Sequence, residues 1–186
     1  MKRISYKTRK IYLNRIIKSG KKVYRIKLQV GLYDPAELNN VVDNMAQVLN
    51  RMFNDRRTYR YASNFTGILK RILFEFDTEK ELVRPYVYLI AVAKRSEVDD
   101  FKIKLKTYVN WLTAWARTLK TCINVYVDMD LIDPNEIESV FNHFFEIETY
   151  LSSLSETDKA YIARAIGNHQ LYGIIGDFFK TECIER

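Results

Sequence analysis

The chain has 186 residues, of which 47% are hydrophobic, and its formal net charge at pH 7 is +7. This length and apolar content are sufficient for one folded domain with a substantial core, which excludes a disordered chain. The sequence has neither an apolar run of the roughly 18 residues that span a bilayer nor a secretory signal, so we expect a cytoplasmic protein with no membrane partner. Cys122 and Cys183 have no partner spacing and are typical of reduced thiols.

The basic residues are concentrated at the N-terminal end. The first 27 residues contain 11 of the 30 lysines and arginines and none of the 23 acidic residues. Such a segment favours a polyanionic partner, nucleic acid first and an anionic membrane surface second, although a solubilising tail is also possible. We interpret residues 1–20 as a basic N-terminal arm before a single domain, residues 21–186. The candidate phosphate contacts in and after the arm are Lys7, Arg9, Lys10, Arg15, Lys21, Lys22, Arg25 and Lys27.

The first elements after the arm are a strand and a helix. Alternating apolar and polar residues predict a half-buried strand over residues 23–30, with Arg25 and Lys27 on its polar face. The Asp-Pro pair at residues 34–35 is typical of a helix start, and apolar residues at helical spacing continue that helix to residue 53.

The next two predicted strands cover residues 68–76 and 86–92, after a loop over residues 54–66 that is rich in arginine and tyrosine. The second of these strands is dense in aromatic and β-branched residues and apolar on both faces, which is typical of a central strand. Tyr86 and Tyr88 are two residues apart and therefore share one face of the sheet.

The second half of the chain is predicted to contain a long helix, a strand, two more helices and a short closing segment. They cover residues 96–119, 123–129, 137–151, 153–166 and 171–179, and the last could add a strand. One side of the long helix is predicted to be its apolar face, formed by Phe101, Leu105, Tyr108, Leu112, Trp115 and Leu119.

This order of elements predicts an α+β fold of the split βαβ (ferredoxin-like) type. Its antiparallel sheet has the first and third strands at the centre, helices on one face, and additional C-terminal helices. The other face, if open, would present Arg25, Lys27, Arg71, Tyr86, Tyr88 and Tyr126. Basic and aromatic groups of this kind are typical of sheets that bind single-stranded nucleic acid. The alternatives are that the tyrosines are ordinary core residues, or that C-terminal helices bury this face.

Several segments resemble, in order, the replication initiator (Rep) proteins of rolling-circle plasmids, whose nuclease domain belongs to the HUH endonuclease class. The resemblance extends from about residue 24 to residue 180. The similar segments are 27–53, 67–77, 85–92 (the P-H-x-H-x-L-x-A-V strand), 111–119 (the W-x-x-x-W-x-x-x-L helix) and 162–179. The resemblance implies a DNA-binding protein that acts in replication, or in its regulation, for a plasmid or another mobile element.

The chain departs from this family at the residues that carry its chemistry. Tyr86 and Tyr88 stand where the family has two metal-binding histidines, and a phenol with a pKa near 10 is a poor ligand for a divalent ion at neutral pH. The histidines of this chain, His143 and His169, lie far from the motif in the sequence. We therefore expect a nuclease-inactive DNA-binding protein without a metal or other cofactor.

Two alternatives remain open. The first is an active nuclease in which Tyr150, at the family's nicking position, works with a divalent metal held by Glu75 or Asp77. The second is a protein-interaction module, either a homo-oligomer or the partner of a replication protein.

Overall fold

The computed structural model describes residues 6–54, 64–77, 79–94, 99–119, 124–145, 154–167, 172–176 and 178–179. The helices of these residues are α1 (Tyr6–Ser19), α2 (Leu38–Asn54), α3 (Asp100–Leu119), α4 (Ile137–Phe145) and α5 (Glu156–Gly167), with a 3-10 turn at Pro35–Glu37. The strands are β1 (Val23–Gln29), β2 (Phe65–Asp77), β3 (Leu82–Ala93), β4 (Tyr126–Leu131) and β5 (Tyr172–Gly176). Every helix within the described ranges is too short or too polar to cross a membrane.

The strands form one antiparallel sheet in the order β4-β1-β3-β2-β5. The first and third strands are therefore adjacent at the centre, as the element order predicted, and the closing segment adds a strand beside β2. The β1 register places Lys27 opposite Tyr88 on β3 and opposite Asp128 on β4. The α+β fold and its central strand pair are confirmed.

The central strand β3 is buried on both of its faces. Each of the nine residues from Pro85 to Ala93 is buried, and their sequence is almost entirely aromatic, aliphatic and β-branched. A strand of this composition is stable when both faces of the sheet are covered.

Helices α2, α3 and α5 cover the first face of the sheet. Their core includes Trp111 and Trp115, which are almost fully buried, and the Trp111 indole Nε1 lies 3.3 Å from the Gln29 carbonyl oxygen, to which it donates. The predicted helix start is also confirmed, because the Asp34 carboxylate accepts a hydrogen bond from the Ala36 amide at 2.8 Å.

The second face is covered by α1 and α4, so the prediction that helices lie on one face was wrong in this respect. Tyr12 and Ile16 of α1, together with Phe141 and Phe144 of α4, pack into a second core on this face. The segment interpreted as a basic arm is therefore a docked helix over residues 6–19. Its dense cations obscured two apolar positions that are four residues apart, on one side of a helix.

The apolar face predicted for α3 was also wrong in part. Phe101 and Leu105 are 73% and 52% exposed, and the buried side is formed instead by Ile103, Thr107, Trp111, Ala114 and Trp115. The helix is apolar on both sides, so periodicity alone could not decide which side faces the sheet. The tryptophans fix its orientation.

Neighbouring isoleucines in α1 provide a test of its packing. Ile16 is 1% exposed and Ile17 is 53% exposed. We expect Ile16→Ala to lower the free energy of unfolding by about 2–5 kcal/mol, because it leaves a cavity under the helix. Ile17→Ala is the matched control and should change it by less than about 0.5 kcal/mol. Urea unfolding followed by circular dichroism measures both, and equal effects would contradict a docked α1.

Candidate nucleic-acid interface

The outward side of α1 carries a row of lysines, Lys7, Lys10 and Lys18, here called the lysine row. All three are exposed, as is Asn14 between them, and they lie opposite the buried side of the helix. Their spacing of three and eight residues keeps them on one face, along about 16 Å of helix. Within the described part of the chain, none of the three forms an ion pair with a carboxylate.

Other cations of the N-terminal segment hold α1 in place. The Arg9 guanidinium lies over the Phe145 ring of α4, 4.7 Å from its centroid, and Arg15 Nη1 donates to the Phe178 carbonyl oxygen at 3.2 Å. These contacts orient α1, and hence the lysine row, relative to α4 and the C-terminal segment. Arg9 and Arg15 were predicted as phosphate contacts, and the structure also gives them a packing role.

The remaining predicted contacts near α1 are Lys21 and Lys22, which are both half-buried. Lys22 forms an ion pair with Asp100 at 3.5 Å, whereas Lys21 lies two residues after the end of α1. Lys18 was not selected from the sequence, because the segment was interpreted as an arm and helical spacing was not applied to it.

Arg25 and Lys27 line a cleft on the second face of the sheet, beside α4. The cleft has a volume of about 300 Å³ and is lined by Arg25, Lys27, Glu75, Tyr86, Tyr88, Asp128, Asp130 and His143. Both cations are paired: Arg25 Nη2 lies 2.6 Å from Asp130 Oδ2, and Lys27 is hydrogen-bonded to Glu75. With three carboxylates and two cations among its lining residues, the cleft is a poorer site for an anionic phosphate than a surface of unpaired lysines would be.

Three of the predicted DNA contacts are inside the second core. Tyr86, Tyr88 and Arg71 are 7%, 5% and 6% exposed, and the Arg71 guanidinium donates to the Phe144 carbonyl oxygen of α4. The expectation that these side chains lie on an open sheet face was therefore wrong, because α1 and α4 occupy the space that stacked bases would need. Tyr126 on β4 remains 57% exposed.

The Tyr86–Tyr88 pair is surrounded by aromatic and basic groups. Lys27 Nζ lies 4.3 Å from the centroid of the Tyr86 ring, and the Tyr88 ring centroid is 5.9 Å from that of Phe144 and 6.2 Å from that of His143. His143 is thus close to the strand that carries the tyrosines, which its distance in sequence did not indicate. The sequence pattern did not place α4 on this face of the sheet, and so it did not predict that His143 lies near Tyr88.

The arrangement around the tyrosines does not fit a divalent metal. The Glu75 carboxylate is bonded to Lys27 and lies 4.0 Å from Arg84 Nη1, while Asp77 pairs with Lys80 at 3.5 Å. Among the residues that the structure describes, no three His, Cys, Asp or Glu side chains are grouped closely enough to hold a metal ion. The carboxylates proposed for a rebuilt metal site are therefore engaged by cations of the chain itself.

Some of the residues singled out in the sequence lie outside the described ranges. They are Tyr150, His169, Cys122, Cys183, residues 55–63 of the arginine- and tyrosine-rich loop, and the predicted start of α3 at Ser96. Comparison of the chain with protein-family models, with curated proteins and with solved structures found no match.

Ionisation of the buried tyrosines should limit stability at high pH. Burial raises the pKa of the Tyr86 phenol, with a further contribution from the nearby Glu75 carboxylate, and burial also raises the pKa of Tyr88 although Arg25 opposes this shift. A pKa that is higher in the folded chain gives stability that is complete below the unfolded value, near 10, and is lost as the pH rises through the folded pKa.

We therefore expect the free energy of unfolding to fall as the pH rises above about 10. In Tyr86→Phe/Tyr88→Phe this fall should be less steep, and each phenol removed should reduce the slope by up to about 1.4 kcal/mol per pH unit. Urea unfolding between pH 8 and pH 11 measures the slope. Tyr126→Phe, which removes an exposed hydroxyl group, is the control. An unchanged slope in the double variant would contradict the role of these two phenols.

Proposed function

We propose that the protein binds DNA through the lysine row, and that it acts in replication, or in its regulation, for a plasmid or another mobile element. The observation that carries this proposal is a set of exposed lysines on one face of a docked helix, which have no carboxylate partner among the residues that the structure describes. They lie in a segment of 27 residues that has 11 cations and no acidic residue. Phosphate neutralisation by such residues supplies most of the affinity of non-specific DNA binding.

The geometry of α1 is suited to a phosphate backbone. A row about 16 Å long spans about five nucleotides of one duplex strand, which rises about 3.4 Å per nucleotide. Because Arg9 and Arg15 fix the helix against α4 and Phe178, the three ammonium groups need no folding step on binding. A preorganised surface loses less entropy on association than a flexible arm does.

The resemblance to rolling-circle Rep proteins supplies the proposed biological setting. The strand order is consistent with the element order on which that resemblance depends. Burial of Tyr86 and Tyr88 moves the proposed DNA contact from the sheet face to α1, and this favours duplex or backbone binding over stacking of single-stranded bases. In this proposal the protein is a nuclease-inactive relative of the Rep initiators.

Salt dependence tests the lysine row directly. In Lys7→Gln/Lys10→Gln/Lys18→Gln, we expect weaker DNA binding and a slope of log K against log salt that is shallower by about 2–3, because each lost phosphate contact with duplex DNA removes about 0.9. Fluorescence anisotropy with duplex and single-stranded oligonucleotides at several salt concentrations measures both quantities.

The matched control removes the same charge from the opposite side of the sheet. Lys102→Gln/Lys104→Gln/Lys106→Gln neutralises three exposed lysines of α3 and should leave the slope nearly unchanged. Equal effects of the two variants would show that net charge, not the lysine row, controls affinity. Binding to vesicles with anionic lipids, without binding to either oligonucleotide, would replace DNA by a membrane surface as the partner.

A cleavage assay tests the nuclease-inactive part of the proposal. We expect no nicking of supercoiled or hairpin DNA with Mg²⁺ or Mn²⁺. Tyr86 and Tyr88 stand at the positions of the Rep family's metal-binding histidines, and Glu75 is hydrogen-bonded to Lys27. Metal-dependent cleavage that is lost in Tyr150→Phe would overturn this expectation while leaving the lysine row untouched.

A further inference from the structure

Helix α3 presents a second apolar face, which points away from the sheet. Its outer stripe, as we call it, consists of Phe101, Leu105, Tyr108, Val109, Leu112 and Ala116. The first four are large side chains that are each at least 40% exposed, and the last two are half-buried. Their spacing of four, three, one, three and four residues places all six on one side of the helix.

Such a stripe is unusual on a helix whose other side is already packed. The buried side of α3 contains Trp111 and Trp115, and Leu112 at the edge of the stripe packs against the same core. The four exposed residues of the stripe lie outside that core. A contiguous exposed apolar patch of this kind marks an interaction surface.

The pattern of the stripe fits a second copy of the same helix in antiparallel orientation. It is symmetric about the point between Tyr108 and Val109. Two-fold related antiparallel helices therefore place Phe101 of one copy opposite the small Ala116 of the other. The same operation places Leu105 opposite Leu112, so each stripe residue meets a stripe residue, as a two-fold interface requires.

The charges that flank the stripe favour the same orientation. Lys102 and Lys104 lie on opposite flanks of the stripe, because their positions differ by about 200° around the helix. A parallel two-fold pair joins opposite flanks at the same height, so it would bring Lys102 of each copy close to Lys104 of the other, and these like charges repel. An antiparallel pair instead places these lysines, which lie near the start of α3, at opposite ends of the interface.

We propose that the outer stripe of α3 is a self-association surface on which a second copy of the chain packs its own α3 in antiparallel orientation. One helix face of six residues is smaller than the roughly 800 Å² per partner of a standard interface. The dimer is therefore reversible and depends on protein concentration. This inference does not depend on DNA binding, and either can fail without the other.

Sedimentation velocity over a range of protein concentrations tests the association. We expect the native chain to shift from monomer to dimer as its concentration rises, and Leu105→Glu/Val109→Glu to remain monomeric with an unchanged circular dichroism spectrum. The control Tyr161→Glu alters an exposed aromatic residue on α5 and should dimerise like the native chain. A native chain that is monomeric at every concentration would overturn the proposal.

Cysteine cross-linking tests the orientation, in a background of Cys122→Ser/Cys183→Ser. Val109 lies next to the two-fold point, so Val109→Cys should form a disulfide-linked dimer when it is oxidised with diamide. Phe101→Cys is the matched control, since in antiparallel helices the two cysteines would be about 22 Å apart and should not cross-link. Equal cross-linking of both variants would indicate a parallel pair and overturn the antiparallel arrangement.

Discussion

The architecture follows from the burial of β3 on both faces. Its residues from Pro85 to Ala93 contain no charged side chain, so neither face of the central strand can be left in water without a large loss of hydrophobic stabilisation. One face is covered by α2, α3 and α5, and the other requires a cover of its own. That cover is α1 together with α4, which explains why the most basic segment of the chain is a docked helix.

Helix α1 separates packing and charge between its two sides. Tyr12 and Ile16 point into the second core, where the Tyr12 ring meets Phe179 edge-on at 5.3 Å between centroids, while the lysine row points outward. This division of roles resolves the apparent conflict between a highly cationic segment and a sheet face that needs apolar cover. Arg9 and Arg15 extend the packed side, because the Arg9 guanidinium lies over the Phe145 ring and Arg15 donates to the Phe178 carbonyl oxygen.

The sequence predicts elements well where a single pattern determines them. The alternation in β1, the capped start and apolar stripe of α2 and the two-sided hydrophobicity of β3 each have one interpretation, and the strand order follows from them. The predictions fail where the sequence allows two interpretations. In α3, either of two apolar faces could face the sheet, and the position of the tryptophans decides between them. Residues 6–19 have only weak apolar periodicity, so their helix is stabilised mainly by packing against the sheet.

The candidate site was less predictable than the fold, because it depends on contacts between segments far apart in the sequence. The sequence shows Arg71 as a basic residue on one face of a predicted strand. The position of α4 explains why this side chain is buried, because α4 packs over it and the Phe144 carbonyl oxygen accepts its hydrogen bond. Similarly, Lys27 is a candidate phosphate contact until β2 brings Glu75 beside it. Conversely, Lys18 shares one face with Lys7 and Lys10 only when residues 6–19 are helical. The sequence pattern alone did not predict that helix, so Lys18 was not recognised as part of the row.

The two proposed surfaces lie on opposite sides of the sheet, and this has a mechanical consequence. Helix α3 belongs to the first face and α1 to the second, so an antiparallel α3 pair leaves the lysine rows of both copies on outward surfaces. In the proposed dimer the two lysine rows are related by a two-fold axis and face away from each other, so one straight duplex could not lie along both rows. If both proposals hold, the dimer would therefore join two DNA segments rather than bind one segment more tightly. The small size of the outer stripe would make such a link reversible, because few apolar side chains hold the two copies together.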